Sequence, residues 1–213
     1  MANFYPLLGE HVQNPFAHFQ IAEEMRSYTY SDSQELNAGL AKCLHNFKSR
    51  FDVEVVPYGG YLEKRDFYKV SGHFTEGLVR NIHLGIDIWK EAGSKIFCPC
   101  DALVHSVAYN GAAQDYGWCL IIKTNGMHLL FGHMSEDVSH WNAGDLIKRG
   151  DIIGSLGQMH ENGGWESHLH FQAILNMEDK MGDYPGVCAL KDLEHYAKNC
   201  PNPEYIFLNK TSV

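Results

Sequence analysis

The sequence of 213 residues lacks an excess of positive charge: 17 lysines and arginines stand against 26 aspartates and glutamates, a formal charge of −9 at pH 7. Nucleic-acid binding draws its affinity from lysine and arginine against phosphates, so this balance gives such a partner no support. Any run of about 18 apolar residues is also missing, which excludes a membrane-spanning helix and leaves no membrane partner to expect. The opening Met1-Ala2-Asn3-Phe4-Tyr5-Pro6-Leu7-Leu8-Gly9 has no basic segment leading into an apolar stretch and a small-residue cleavage site. It does not read as a secretory leader, and the expected compartment is the cytoplasm unless a leader precedes it. Six cysteines are present. Cys43, Cys119 and Cys188 sit in apolar patterns and Cys98 and Cys100 are too close along a strand to bridge each other easily, so all are expected as thiols.

What is present is an ordinary globular composition, 45% hydrophobic and 20% charged, with 13 histidines. The length fits one large domain or a core with a structured extension. Ser31 and Gln34 suggest a capping box opening a helix, followed by Leu36, Leu40, Leu44 and Phe47 at helical spacing and an end near Arg50; a shorter helix is expected around residues 19–26. After Pro57, Gly59-Gly60 reads as a turn into a strand on which Tyr61, Glu63 and Arg65 share a face.

From residue 81 the period changes from helical to two. Ile82, Leu84, Ile86 and Ile88 alternate with His83, Gly85, Asp87 and Trp89, as on a half-buried strand. Further strands are predicted over 102–108, 117–124, 128–134, 152–155 and 168–175, separated by glycine-containing turns; Asn125-Gly126 between two apolar runs is a hairpin signal. The expected fold is mainly β, an antiparallel sandwich or barrel-like core with a mixed α/β N-terminal extension. The expected divisions are an extension over 1–80, a core over 81–177 and a tail over 178–213 with a short helix near 191–198.

His83 and Asp87 share a face, but four residues of straight strand separate them by about 13 Å. They can act on one centre only if the chain bends, and Gly85 permits a bend; otherwise they are a solvated polar row. His168 and His170 also share a face, with Leu169 and Phe171 on the other. Two such histidines can address one metal, or one can ligate while the other handles a proton. His133 ends an apolar strand after Gly132, which permits close backbone approach.

The ordered set His83-x-x-x-Asp87, Gly132-His133 and His168-x-His170 resembles the lysostaphin/LytM-type zinc metallopeptidases, as does the turn Gly144–Gly154. The resemblance covers residues 81–175. It implies one Zn²⁺ per chain held by His83, Asp87 and His170, with His133 and His168 as catalytic histidines. It implies hydrolysis of peptide bonds in glycine- or D-amino-acid-containing peptides such as peptidoglycan fragments, so the expected partner is a peptide or muropeptide. Two imidazoles and a carboxylate leave an open position for water, as in catalytic zinc sites. His168 is read as the base and His133 as the oxyanion partner, with the reverse left open. Where the family usually has tyrosine and leucine around the catalytic histidine, this chain has Phe131 and Met134.

Tyr116, which resembles the family's tyrosine-glycine entry to a strand, and His160, Tyr61 and Arg65 are candidate substrate-binding residues, Arg65 as a bidentate partner for a substrate carboxylate. Glu166 is a candidate hydrogen-bond partner of the His168–His170 pair. His73, His105, His128 and His140 have no partner pattern. The alternative to an enzyme is a non-catalytic zinc-binding regulatory or interaction module on the same scaffold. Residues 1–80 could equally shield a groove or dock a protein partner.

Overall fold

In the computed structural model, residues 4–67 and 79–209 are described; Tyr68 and His73 lie outside them. The strands are β1 Phe16–His18, β2 Val56–Gly59, β3 Ile82–His83, β4 Ile86–Trp89, β5 Lys95–Phe97, β6 Ala102–Asn110, β7 Gly117–Lys123, β8 His128–Met134, β9 Leu146–Ile147, β10 Ile152–Ser155, β11 His168–Ile174 and β12 Val187–Cys188. The helices are α1 Ile21–Glu24, α2 Ser33–Lys48, α3 Leu193–Asn199 and α4 Glu204–Phe207. The protein is mainly β, as expected. Eight strands form one sheet in the order β1-β2-β4-β11-β8-β7-β6-β9, and every pairing except β1 with β2 is antiparallel.

Alternation decides the layers. On β11, Leu169, Phe171 and Ala173 enter the main core with Phe131, Leu129, Ile86 and Ile88. His168, His170 and Gln172 occupy the other face, which carries the site. The α2 helix packs Leu36, Leu40, Leu44 and Phe47 against Phe19, Trp89 and Trp165 in a second core. Its N-cap is Asp32, which accepts from the Glu35 backbone N–H, while Glu35 accepts from the Ser31 backbone N–H. The capping box therefore sits one residue later than Ser31 and Gln34 suggest, because the aspartate completes it with a glutamate.

Two further expectations are corrected. The single strand over 82–89 is two short ones. Ile82 and Leu84 join a third core with Tyr116 and Tyr184, whereas Ile86 and Ile88 join the main one, and the chain bends between them. Residues 60–65 form a turn with one bridge, Lys64 to Ile82, in place of a strand. Residues from the first 80 are built into the principal sheet: β2 pairs with β4 and places Gly59 opposite Asp87. No helix among the described residues is long and apolar enough to cross a membrane. All six cysteines are free thiols.

Candidate metal centre and active site

The bend at residues 84–85 is what brings His83 to Asp87. A β-carbon on Gly85 would lie 2.6 Å from the Phe171 carbonyl oxygen and 2.8 Å from His170 Nε2, so only glycine lets the chain cross here. Beyond the bend, Asp87 sits directly opposite His170 on β11, and His170 sits opposite Gly132 on β8. His83 Nε2 and His170 Nδ1 then face each other at 2.8 Å, and Asp87 Oδ1 lies 3.3 Å from the first and 3.4 Å from the second.

Outer contacts fix which nitrogens face inward. His83 Nδ1 lies 3.0 Å from the Gly60 carbonyl, which can only accept, so the proton is on Nδ1 and Nε2 is a lone pair. His170 Nε2 lies 2.9 Å from Gln172 Oε1, which likewise makes it the donor and leaves Nδ1 a lone pair. Two acceptors thus point at each other, and beside them Asp87 Oδ1 is buried without a hydrogen-bond partner. Burial pushes the His83 imidazole down to about 4, with Arg65 adding to the effect, so a proton is a poor solution to this clash. Burial pushes the Asp87 carboxyl up, but His83, Arg65 and His168 outweigh it and hold the group well below the usual carboxylate range. A divalent cation satisfies all three atoms, and an N,N,O donor set suits zinc. Among the described residues this is the one group of three or more histidine, cysteine or acidic side chains placed to hold a metal.

His133 and His168 flank these three side chains. His133 owes its position to a bulge: the β7–β8 register shifts between Trp118 and Leu120, and His133 adopts φ 62°. Regular alternation would send it into the core; the bulge sends Met134 there and turns His133 to the site. Its Nδ1 lies 2.9 Å from the Asn162 carbonyl, and the His168 Nδ1 lies 2.7 Å from the Glu166 carbonyl. Both rings are therefore Nδ1–H tautomers that present Nε2 to the site. The His168 Nε2 is 3.7 Å from Asp87 Oδ1, and the two rings stand 4.3 Å apart. Trp89 stacks on His168 at 4.3 Å. Burial lowers the pKa of both histidines, His133 the more strongly, with neighbouring His168 and His170 opposing its charge further.

The candidate substrate residues separate into two groups. Tyr116 lines the cavity; its hydroxyl donates to the Tyr184 carbonyl at 3.1 Å and lies 3.5 Å from His170 Nε2. Gly132 makes room for it, since a β-carbon there would come within 2.5 Å of the Tyr116 ring. Arg65 also lines the cavity, but its Nη1 donates to Asp87 Oδ2 at 2.7 Å and its Nε to Glu63 Oε2 at 2.9 Å. Its described partners include two carboxylates of this chain, those of Asp87 and Glu63. Tyr61 is turned away, its hydroxyl donating to the Cys200 carbonyl at 2.7 Å. His160 lies on an exposed loop facing α2, outside the catalytic cavity. Neither touches the site. Glu166 contributes through its backbone carbonyl.

Three contributors escaped the sequence reading. Gln172 fixes the His170 tautomer; the signal was its place two residues beyond the second histidine. Asn162, fully buried, accepts from the backbone N–H groups of Gly164 and Trp165 and so shapes the loop whose carbonyl holds His133. Gly60 supplies the carbonyl for His83, and no local pattern announces it.

Residues 81–181 match the model of peptidase family M23. Solved structures with a similar fold include a catalytic-domain mutant of the prophage-encoded M23 protein EnpA from Enterococcus faecalis, 23% identical over 50% of this chain and 78% of that one, with a TM-score of 0.40. A zinc-containing peptidase from Vibrio cholerae is 23% identical over 55% of this chain and 31% of that one, TM-score 0.41. The catalytic domain of lysostaphin from Staphylococcus simulans is 17% identical over 58% of this chain and 85% of that one, TM-score 0.40. No curated protein sequence matches the chain.

Proposed function

From the premise that this chain belongs to peptidase family M23 through its residues 81–181, we propose that it is a zinc-dependent peptidase cleaving glycine- or D-amino-acid-containing peptides, including fragments of peptidoglycan. The observation that carries the reading is the inward-facing set of His83 Nε2, His170 Nδ1 and the unpartnered Asp87 Oδ1. These three atoms would hold the metal. Zinc bound there would bring a water toward neutral pKa and polarise the scissile carbonyl.

The chain's own residues supply the proton chemistry. His168 keeps its Nδ1–H on the Glu166 carbonyl, so its Nε2 is free to take the proton of the attacking water and return it to the leaving amine. Its depressed pKa keeps that nitrogen unprotonated below the usual imidazole range. His133 holds its Nδ1–H on the Asn162 carbonyl and can donate from Nε2 only after a proton reaches it. Burial and the neighbouring His168 and His170 oppose a second proton on this ring, so its Nε2 is an acceptor that can share the base role with His168, and the oxyanion would fall to the bound metal. Trp89 and Trp165 give the site part of an apolar wall, which strengthens each of these interactions.

The test pairs zinc analysis with hydrolysis of glycyl peptides and muropeptides by the wild type and His168→Ala. One zinc per chain with turnover abolished in the variant supports the reading. Stoichiometric zinc without turnover on any peptide favours a zinc-binding module instead.

A further inference from the structure

We propose that the site takes short soluble peptides of two or three residues and not an interior bond of a polymer, an inference that rests on the peptidase reading above. The ligands and catalytic histidines lie at the bottom of a cavity of about 100 Å³. At ~10–15 Å³ of such volume per water, that is room for roughly seven to ten waters, on the order of 200–300 Å³ of liquid. Two small residues or three glycines fill it. The five functional side chains His83, Asp87, His133, His168 and His170 are at most 6% exposed.

The roof over this cavity comes from the N-terminal part of the chain. Ile21 of α1, Leu40 of α2 and Phe67 line it together with Trp165 and Val187. A polymer strand crossing the metal centre would have to leave on both sides, and on this side it meets a packed apolar core that also holds Phe19, Leu36 and Trp89.

That roof is integral to the fold. Between β1 and α1 the chain is pinned by the Phe19 N–H donating to the Tyr58 carbonyl at 2.7 Å. The Ala22 N–H donates to Glu63 Oε1 at 2.9 Å, and Glu63 in turn holds Arg65. Asn37 of α2 donates to the Gly164 carbonyl on the loop that carries Trp165. β2 is the immediate neighbour of the strand bearing Asp87. Lifting the roof would break these hydrogen bonds and open the second core, so substrate has to fit beneath it.

The experiment uses the full zinc-loaded chain with diglycine, triglycine, D-alanyl-D-alanine, hexaglycine and purified peptidoglycan sacculi. The expected result is a kcat/KM on a di- or tripeptide at least tenfold above that on hexaglycine, with no release from sacculi. Leu40→Ala, which thins the roof, should narrow that gap. Hexaglycine or sacculi cleaved as well as the short peptides would overturn the size limit while leaving the peptidase reading intact. Hydrolysis of none of them would count against the peptidase reading, and binding then decides the size limit separately. His168→Ala titrated by tryptophan fluorescence should bind di- or tripeptide saturably and hexaglycine at least tenfold more weakly. Equal binding, or none by the short peptides, would overturn it.

Discussion

Arg65 donates from Nη1 to the outer oxygen of Asp87 at 2.7 Å, with both side chains buried, and so leaves Asp87 a single oxygen facing the two histidines. The carboxylate is thereby held in one rotation. Glu63 fixes the guanidinium from the other side, and the Ala22 N–H fixes Glu63. Outer contacts of this kind typically matter 10–100-fold for metal affinity. Arg65→Met should weaken zinc binding by about that factor, measured by competition with a chelating dye, and Arg65→Lys should recover part of it through charge without the planar fork.

Zinc should also stabilise the fold, because its ligands come from β3, β4 and β11. Removing the metal with a chelator should lower Tm, and added zinc should restore it; at 100 Kd of free metal the linkage is worth about 2.7 kcal/mol. Asp87→Asn should abolish the zinc-dependent part of Tm, as read by calorimetry with and without metal.

The metal-free protein should lose stability as the pH falls. His83 has its pKa depressed from 6.5 to about 4 in the folded chain. Below pH 6.5 the unfolded chain takes up a proton that folded His83 refuses, so this contribution declines from there and levels off near pH 4, with the depressed His133 and His168 adding losses of the same sign. At 1.36 kcal/mol per unit the loss approaches about 3 kcal/mol. Urea midpoints of the apoprotein between pH 7 and 4 check this, and His83→Gln should make the dependence shallower by the share of this one histidine.

Gly85→Ala should damage the site without removing any metal-facing side chain. The added methyl group would meet the Phe171 carbonyl and the His170 ring, and overpacking of this kind costs about 1–3 kcal/mol. Zinc stoichiometry after purification should fall together with Tm, whereas Gly93→Ala, strained at φ +84° but with nothing within 4 Å of its β-carbon, should lower Tm and leave zinc content unchanged.

Much of the site was legible because its residues sit on long strands with strict alternation. β8 has the boundaries the sequence predicts, and β11 ends one residue short of them. The His168–His170 pair faces the way period two requires. The reading failed where contacts are distant. β2 is Val56-Pro57-Tyr58-Gly59, too short and proline-broken to announce itself, and its partners are fixed by pairing with β1 and β4. The bend at Gly85 was visible only as a permission, because the Phe171 carbonyl that demands it lies far along the chain. The bulge that turns His133 inward leaves no mark in an alternating pattern. Arg65 was noticed for its charge, but its partner could not be read from spacing.

The ligand set closes a long loop in time as well as in space. His83 and His170 lie 87 positions apart, and the strand that Asp87 needs on its other flank comes from residues 56–59. A chain emerging from the ribosome N-terminus first can shape the bend and the roof early, yet it offers no complete set of donors until β11 has appeared and inserted between β4 and β8. Such non-local closure is slow compared with helix formation. Until then the nascent protein would lack one of the three donors and be unable to hold zinc tightly.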